Sequence, residues 1–178
     1  MIKLYLDCDG VILDSITTTY KLLQENGIDI TNGEDKQVRD FYANLDWNHV
    51  IEITPVLNDA ISNINKLLDT GLYDVEVLTH VNSENEAKAK IKWFNKVLPD
   101  VKVIPTKKEI AKSDMVDPFN AVLVDDYLPN LDLWHQKGGI AIKYATTDKE
   151  CPYLKIKDLG QILTLTDIIS DKIMSNKT

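Results

Sequence analysis

Cysteine is scarce. Only Cys8 and Cys151 occur in 178 residues, too far apart in sequence for the close pairs that hold zinc or staple a small secreted scaffold. A reducing cytosol is therefore the expected setting, with Cys8 a small buried apolar residue. No apolar run approaches the ~18 residues of a membrane span. The first residues lack the basic start and longer apolar stretch of a signal peptide. There is no Gly-rich dinucleotide fingerprint and no P-loop, and no local support for a Ser-His-Asp or Cys-His arrangement. Internal repeats and low-complexity runs are absent. Positive charge is in the minority: 20 Lys and Arg against 28 Asp and Glu leave a net charge of -8. That balance argues against a nucleic-acid polymer or an anionic membrane as partner. It leaves a small phosphorylated molecule open, because phosphate sites are built locally from a metal, a lysine and backbone N–H groups.

The chain is long enough for one domain with a real core. Its 44% hydrophobic and 27% charged residues are ordinary for a globular protein. Short strand-like runs alternate with longer helical ones. Strands are expected over 2–7, 75–78, 101–104, 121–124 and 140–142. Helices are expected over 17–26, 34–44, 46–53, 57–68, 83–98 and 128–136, with one more from Asp158. Gly27, Gly71 and Gly138-Gly139 follow three of these helices, and Ser83 with Glu86 has the spacing of a capping box. Such alternation predicts an α/β fold: a doubly wound (Rossmann-like) parallel sheet of about five strands. The stretch 15–54 holds helices only. It reads as a small helical cap inserted after the first strand, leaving 1–14 and 55–178 as the core domain.

The first strand runs into Asp7-Cys8-Asp9-Gly10-Val11. In a continued strand Asp7 and Asp9 would share a face. Two like charges so close repel unless a cation or donor sits between them. Oxygen ligands of this kind suit a hard divalent cation such as Mg²⁺, beside which one carboxylate could act as nucleophile and its neighbour as acid/base. The alternative is a polar turn, since Asp and Gly are common turn residues. Polar residues recur at two other strand ends, Thr79 and Asp125-Asp126. Ligands of parallel sheets bind beyond the carboxyl ends of the strands, so three strand ends converge on one place.

These residues resemble the motifs of the haloacid dehalogenase-like (HAD) hydrolases. Asp7-Cys8-Asp9-Gly10-Val11 is similar to the first motif, Val77-Leu78-Thr79 to the second and Val122-Leu123-Val124-Asp125-Asp126 to the fourth, with Asn130 as a polar support for the metal. The third motif is a lysine upstream of the fourth strand. Lys112 is the first choice, with Lys107 and Lys108 as competitors. The resemblance implies a phosphatase in which Asp7 attacks a phosphoryl group to give an aspartyl-phosphate and Asp9 serves as acid and then base. It implies Mg²⁺ bound by Asp7, the backbone carbonyl of Asp9 and Asp126, with Asp125 close by, and phosphate oxygens held by Thr79 and Lys112. The stretch from Asp125 to Asn130, with Trp134 and Gly138-Gly139, resembles the 5'(3')-deoxyribonucleotidase branch, which implies a nucleoside monophosphate substrate. A phosphotransferase or mutase, or an idle phosphate-ester-binding regulatory protein on the same fold, are the rival readings. Nothing in the sequence speaks to oligomeric state.

Other residues have plainer readings. His80 follows Thr79 and could reach the site or could be a loop residue. His49 and His135 are expected on the surface, and Trp47, Trp93 and Trp134 in packing. Phe41, Tyr42 and Trp47 lie in the expected cap, where an aromatic side chain could stack on a ligand or simply pack.

Overall fold

The computed structural model describes residues 1–29, 36–145, 147 and 149–176. Its centre is one six-stranded, all-parallel sheet. The strands are β1 (Ile2–Leu6), β2 (Tyr73–Val81), β3 (Lys102–Lys107), β4 (Val122–Asp125), β5 (Ile140–Tyr144) and β6 (Leu154–Ile156), in the order β3-β2-β1-β4-β5-β6. The chain thus builds outward from β1 on one side and then crosses over to β4 on the other. That reversal leaves a crevice at the carboxyl ends of β1 and β4, the switch point at which open α/β sheets place ligands.

Strand alternation sorts the core into two layers, since successive side chains leave a strand on opposite faces. Leu4 and Leu6 of β1, Val75 and Val77 of β2, and Val122 and Val124 of β4 belong to the larger cluster. Its helical partners include Ala60, Ile64 and Leu67 of α4 (Ala60–Asp69) and Ala89 and Phe94 of α5 (Glu84–Val97). Tyr5, Leu78 and Leu123 point the other way, onto Leu131 and Trp134 of α7 (Leu128–Gln136). Trp134 is fully buried, and its indole N–H donates to the Ala121 carbonyl at 3.0 Å, which meets the need of a buried indole for a partner. Between β1 and α4 lie α1 (Ser15–Glu25), α2 (Lys36–Asn44) and α3 (Trp47–Ile53). Asp46 caps α3 by accepting from the N–H groups of Asn48 and His49. Of the helix expected from residue 34, residues 34 and 35 lie outside the described residues.

The structure departs from expectation in several places. A sixth strand pairs Leu154–Ile156 with Ile142–Tyr144; three residues are too few to give a readable alternation. The helix expected from Leu57 starts at Ala60, because Asn58 and Asp59 adopt left-handed backbone, φ 41° and 54°, which a right-handed helix cannot contain. The C-terminal helix is preceded by a 3₁₀ stretch over Leu159–Leu165 before α8 (Thr166–Ser175). Glu86 does not close a box with Ser83: the Ser83 hydroxyl accepts from the Glu86 N–H, but the Glu86 carboxylate reaches the N–H of Asn82 at 2.7 Å. No helix among the described residues is long and apolar enough to cross a membrane.

Candidate active site

Register brings the acidic residues together. Leu6 pairs with Val124, and the Asp7 N–H donates to the Val124 carbonyl at 2.9 Å, so Asp7 and Asp125 leave adjacent strands side by side. Asp7 and Asp9 both line one cavity, although the strand stops at Leu6 and Asp9 lies in the turn that follows. The chain then turns tightly, with the N–H groups of Ile12 and Leu13 both donating to the Cys8 carbonyl at 2.9 Å. Gly10 makes the turn possible with φ +74°, a conformation costly for other residues. Cys8 is fully buried in the larger core cluster.

Asp7, Asp125 and Asp126 form an acidic triad whose ligand oxygens all lie within 4.8 Å of one another. Lys112, 1% exposed at the start of the short helix α6 (Lys112–Met115), donates to Asp7 Oδ1 at 2.8 Å and to Asp125 Oδ2 at 2.7 Å. Asp125 is further held by the Tyr127 N–H at 2.8 Å and by Asn130 Nδ2 at 3.0 Å. Lys143 donates to the backbone carbonyl of Asp126. Burial pushes Asp7 up to about 8; Lys112 offsets part of this, while the charges of Asp125 and Asp9 add to it. Burial and Asp125 likewise push Asp126 up to about 6. Burial alone would lower Lys112, but the two carboxylates on either side raise it. One lysine shared by two carboxylates cannot neutralise all three acids, so the triad carries excess negative charge in a confined space. This donor set fits a hard divalent cation. Gly10 keeps the space open: a Cβ there would lie 2.4 Å from Asp126 Oδ2.

Asp9 belongs to a second ionic group. Its Oδ2 accepts from Lys90 at 2.6 Å, and its Oδ1 accepts from the Ser15 hydroxyl at the start of α1. Lys90 also reaches Glu86 Oε1 at 2.9 Å and Thr79 Oγ1 at 3.1 Å. Burial would push Asp9 up, but Lys90 and the Ser15 hydrogen bond outweigh it and hold the carboxyl below its usual range. Two aspartates one residue apart therefore sit with different lysines from different helices, one raised and one lowered, which is the pattern of paired acids with distinct tasks.

The other expected residues are placed as follows. Thr79 is fully buried beside Asp9 and Lys90. His80 lines the cavity, and its Nε2–H donates to the Ile110 carbonyl at 3.0 Å; burial holds it below the usual histidine range. Lys107 ends β3 with its side chain exposed. Lys108 is also exposed, with Nζ 6.0 Å from the centre of the Tyr42 ring. Trp47 is buried and stacks with Tyr42. Above the carboxylates opens a cavity of about 800 Å³, walled by Ile16, Tyr20 and Leu23 of α1, Tyr42 of α2, and Tyr127 and Leu133 on the α7 side. Lys90, Glu86 and Ser15 escaped sequence reasoning. For Lys90 and Glu86 a signal was present in α5, where Glu86, Ala89, Lys90 and Phe94 fall on one helical stripe, so the charged pair lies on a face that must be buried; Ser15 carried none.

No protein-family model matches the sequence, and no curated protein matches it. Solved structures do match. A HAD phosphatase from Thermococcus onnurineus is similar over 93% of this chain and 97% of its own, with a TM-score of 0.63 and 18% identity. A magnesium-bound HAD hydrolase from Bacillus subtilis is similar over 93% of this chain and 98% of its own, at TM-score 0.65 and 11% identity. The fold is that of the HAD hydrolases. A phosphonoacetaldehyde hydrolase-like protein from Oleispira antarctica has it too, over 97% of this chain and 93% of its own, at TM-score 0.63 and 12% identity. At such identities the likeness extends to the HAD architecture; what each side chain does rests on the geometry described above.

Proposed function

We propose that this chain is a Mg²⁺-dependent phosphatase that hydrolyses a small phosphate monoester through a phospho-Asp7 intermediate. The observation that carries the reading is the separation of Asp7 and Asp9 into two environments at one cavity floor: Asp7 in the acidic triad with Lys112, Asp9 oriented by Lys90 and Ser15. The fold shared with HAD hydrolases, one of them magnesium-bound, supports it. Asp7, Asp126 and the backbone carbonyl of Asp9, with Asp125 close by, would hold Mg²⁺, which when bound supplies positive charge opposite the phosphoryl oxygens.

In the first step a carboxylate oxygen of Asp7 attacks phosphorus, the bond to the ester oxygen breaks, and Asp9 delivers a proton to that oxygen. Asp9 is ionised in the free protein; the negative charge of the entering phosphate raises its proton affinity, so it takes up one proton from solvent as the ester binds, and this is the proton it delivers. In the second step water attacks the same phosphorus, Asp9 takes its proton, and the bond to Asp7 breaks to release phosphate. Lys112 and Thr79 offset charge on the phosphoryl oxygens. The aromatic walls supplied by Tyr20, Tyr42 and Tyr127 favour an ester with a flat organic group, and a deoxynucleoside monophosphate is the substrate we propose first.

Phosphate release from nucleoside monophosphates and sugar phosphates, with and without Mg²⁺ and with Asp7→Asn as the blank, tests this reading. Mg²⁺-dependent release absent from the mutant is expected, with deoxynucleotides preferred. Release only when an acceptor alcohol is present would mean phosphoryl transfer, and tight ester binding with no turnover would mean a binding protein.

A further inference from the structure

Lys90 is the largest buried investment of charge that the proposed chemistry does not use. It is 1% exposed, and its ammonium meets four acceptors: Asp9 Oδ2 at 2.6 Å, Glu86 Oε1 at 2.9 Å, Thr79 Oγ1 at 3.1 Å and the His80 carbonyl at 3.2 Å. Three N–H donors are thus fully engaged within the protein, and none is left for a substrate oxygen. Glu86, itself 2% exposed, is anchored through its other oxygen by the N–H and side-chain amide of Asn82, at 2.7 and 2.9 Å. A need for packing alone would be met as well by apolar residues at these two positions, since buried ion pairs are often replaced by hydrophobic groups without loss of stability.

We infer that Lys90, backed by Glu86, is a positioning residue that fixes the carboxylate of Asp9 for proton transfer to and from the reacting oxygens. Both oxygens of Asp9 are held, Oδ2 by Lys90 from α5 and Oδ1 by Ser15 from α1. A carboxylate gripped on both oxygens by two helices cannot rotate freely, and it is kept from joining Asp7 as a side-chain ligand in the acidic triad. The division follows: Lys112 serves Asp7 and Asp125, while Lys90 serves Asp9. A proton donor displaced by about 1 Å loses about 10²-fold in rate, so such a tether has a kinetic consequence. The inference rests on the phosphatase reading.

The test is a cycle between Lys90→Met and Asp9→Asn, read with two esters. An aryl phosphate with a good leaving group needs little help from an acid, whereas an alkyl phosphate needs it fully. Lys90→Met should lower kcat for the alkyl ester by about 10²-fold, with KM little changed and a much smaller loss in single-turnover release of the aryl alcohol. In the Asp9→Asn background the same substitution should cost nothing further, and Lys90→Arg should restore part of the activity. Should Lys90→Met fold poorly, Glu86→Leu with Lys90→Met replaces the whole pair by apolar groups and is read the same way. Equal losses for both esters, or an undiminished loss in the Asp9→Asn background, would overturn the inference while leaving the phosphatase reading intact. Absence of Mg²⁺-dependent hydrolysis by the wild type would overturn the reading, and the inference with it.

Discussion

Gly10→Ala separates two consequences of one missing methyl group. The first is backbone strain. Gly10 has φ +74°, and holding an L-residue in the left-handed region costs ~1–2 kcal/mol. For a chain of this size that corresponds to a fall in Tm of roughly 2–8 °C. The second is displacement. The new Cβ would lie 2.4 Å from Asp126 Oδ2, 2.9 Å from its Cγ and 3.2 Å from Ile16 Cδ1. The Asp126 carboxylate is the movable neighbour, and it must swing out of the triad. Loss of supporting contacts around a metal typically costs 10–100-fold in affinity, and losing a ligand itself should reach at least the upper part of that range, about 2.7 kcal/mol. Calorimetric titration with Mg²⁺ reads the affinity, and thermal melts without Mg²⁺ read the strain. The expected result is a folded protein with modestly lowered Tm and Mg²⁺ affinity reduced about 100-fold. A variant that binds Mg²⁺ as tightly as the wild type would refute Asp126 as a ligand and the triad as the metal site.

Two further outcomes follow from the same charges. Lys112→Ala removes the cation between Asp7 and Asp125 and should cost ~2–4 kcal/mol of transition-state stabilisation, read as kcat/KM. A loss of that size from Lys107→Ala or Lys108→Ala, with none from Lys112→Ala, would move the phosphate-binding role to one of those residues. The second outcome concerns pH. Burial pushes Asp126 and Asp7 from the ordinary 3.8 up to about 6 and about 8, so folding without Mg²⁺ takes up protons from 3.8 up to about 6 for Asp126 and up to about 8 for Asp7. The contribution of these two groups is greatest on the acid side and is lost as pH rises through about 6 and then about 8. Mg²⁺ displaces the same protons, so its affinity should climb across that window. Thermal melts with and without Mg²⁺ should diverge as pH rises, and parallel profiles would contradict the assignment.

Legibility tracked the length and type of each signal. Buried parallel strands such as 121–124 read clearly because both their faces are covered, giving continuous apolar runs. Asp7, Thr79 and Asp125-Asp126 stood out because carboxylates and a hydroxyl ended such runs. The strand Leu154–Ile156 was hidden by its length. The left-handed backbone at Asn58 and Asp59 was overlooked, although these are the non-glycine types that adopt it most readily, because the apolar spacing from Leu57 onward fitted a helix. Lys90 and Glu86 were the costliest omissions. Glu86 was read only as a capping partner of Ser83 and Lys90 was one of several lysines in its helix; tertiary placement against Asp9 is what puts that stripe inside. The different lysine partners of Asp7 and Asp9 were hidden for a related reason: both lysines come from helices distant in sequence.

The most direct measurement of the central claim is to locate the phosphoryl group on the protein. Brief mixing of the Mg²⁺-loaded protein with a radiolabelled phosphate ester it hydrolyses, followed by acid quench and peptide mapping, should place the label on the peptide containing Asp7, and Asp9→Asn should increase its amount. Label on another residue, or turnover in Asp7→Asn near the wild-type rate, would contradict the account.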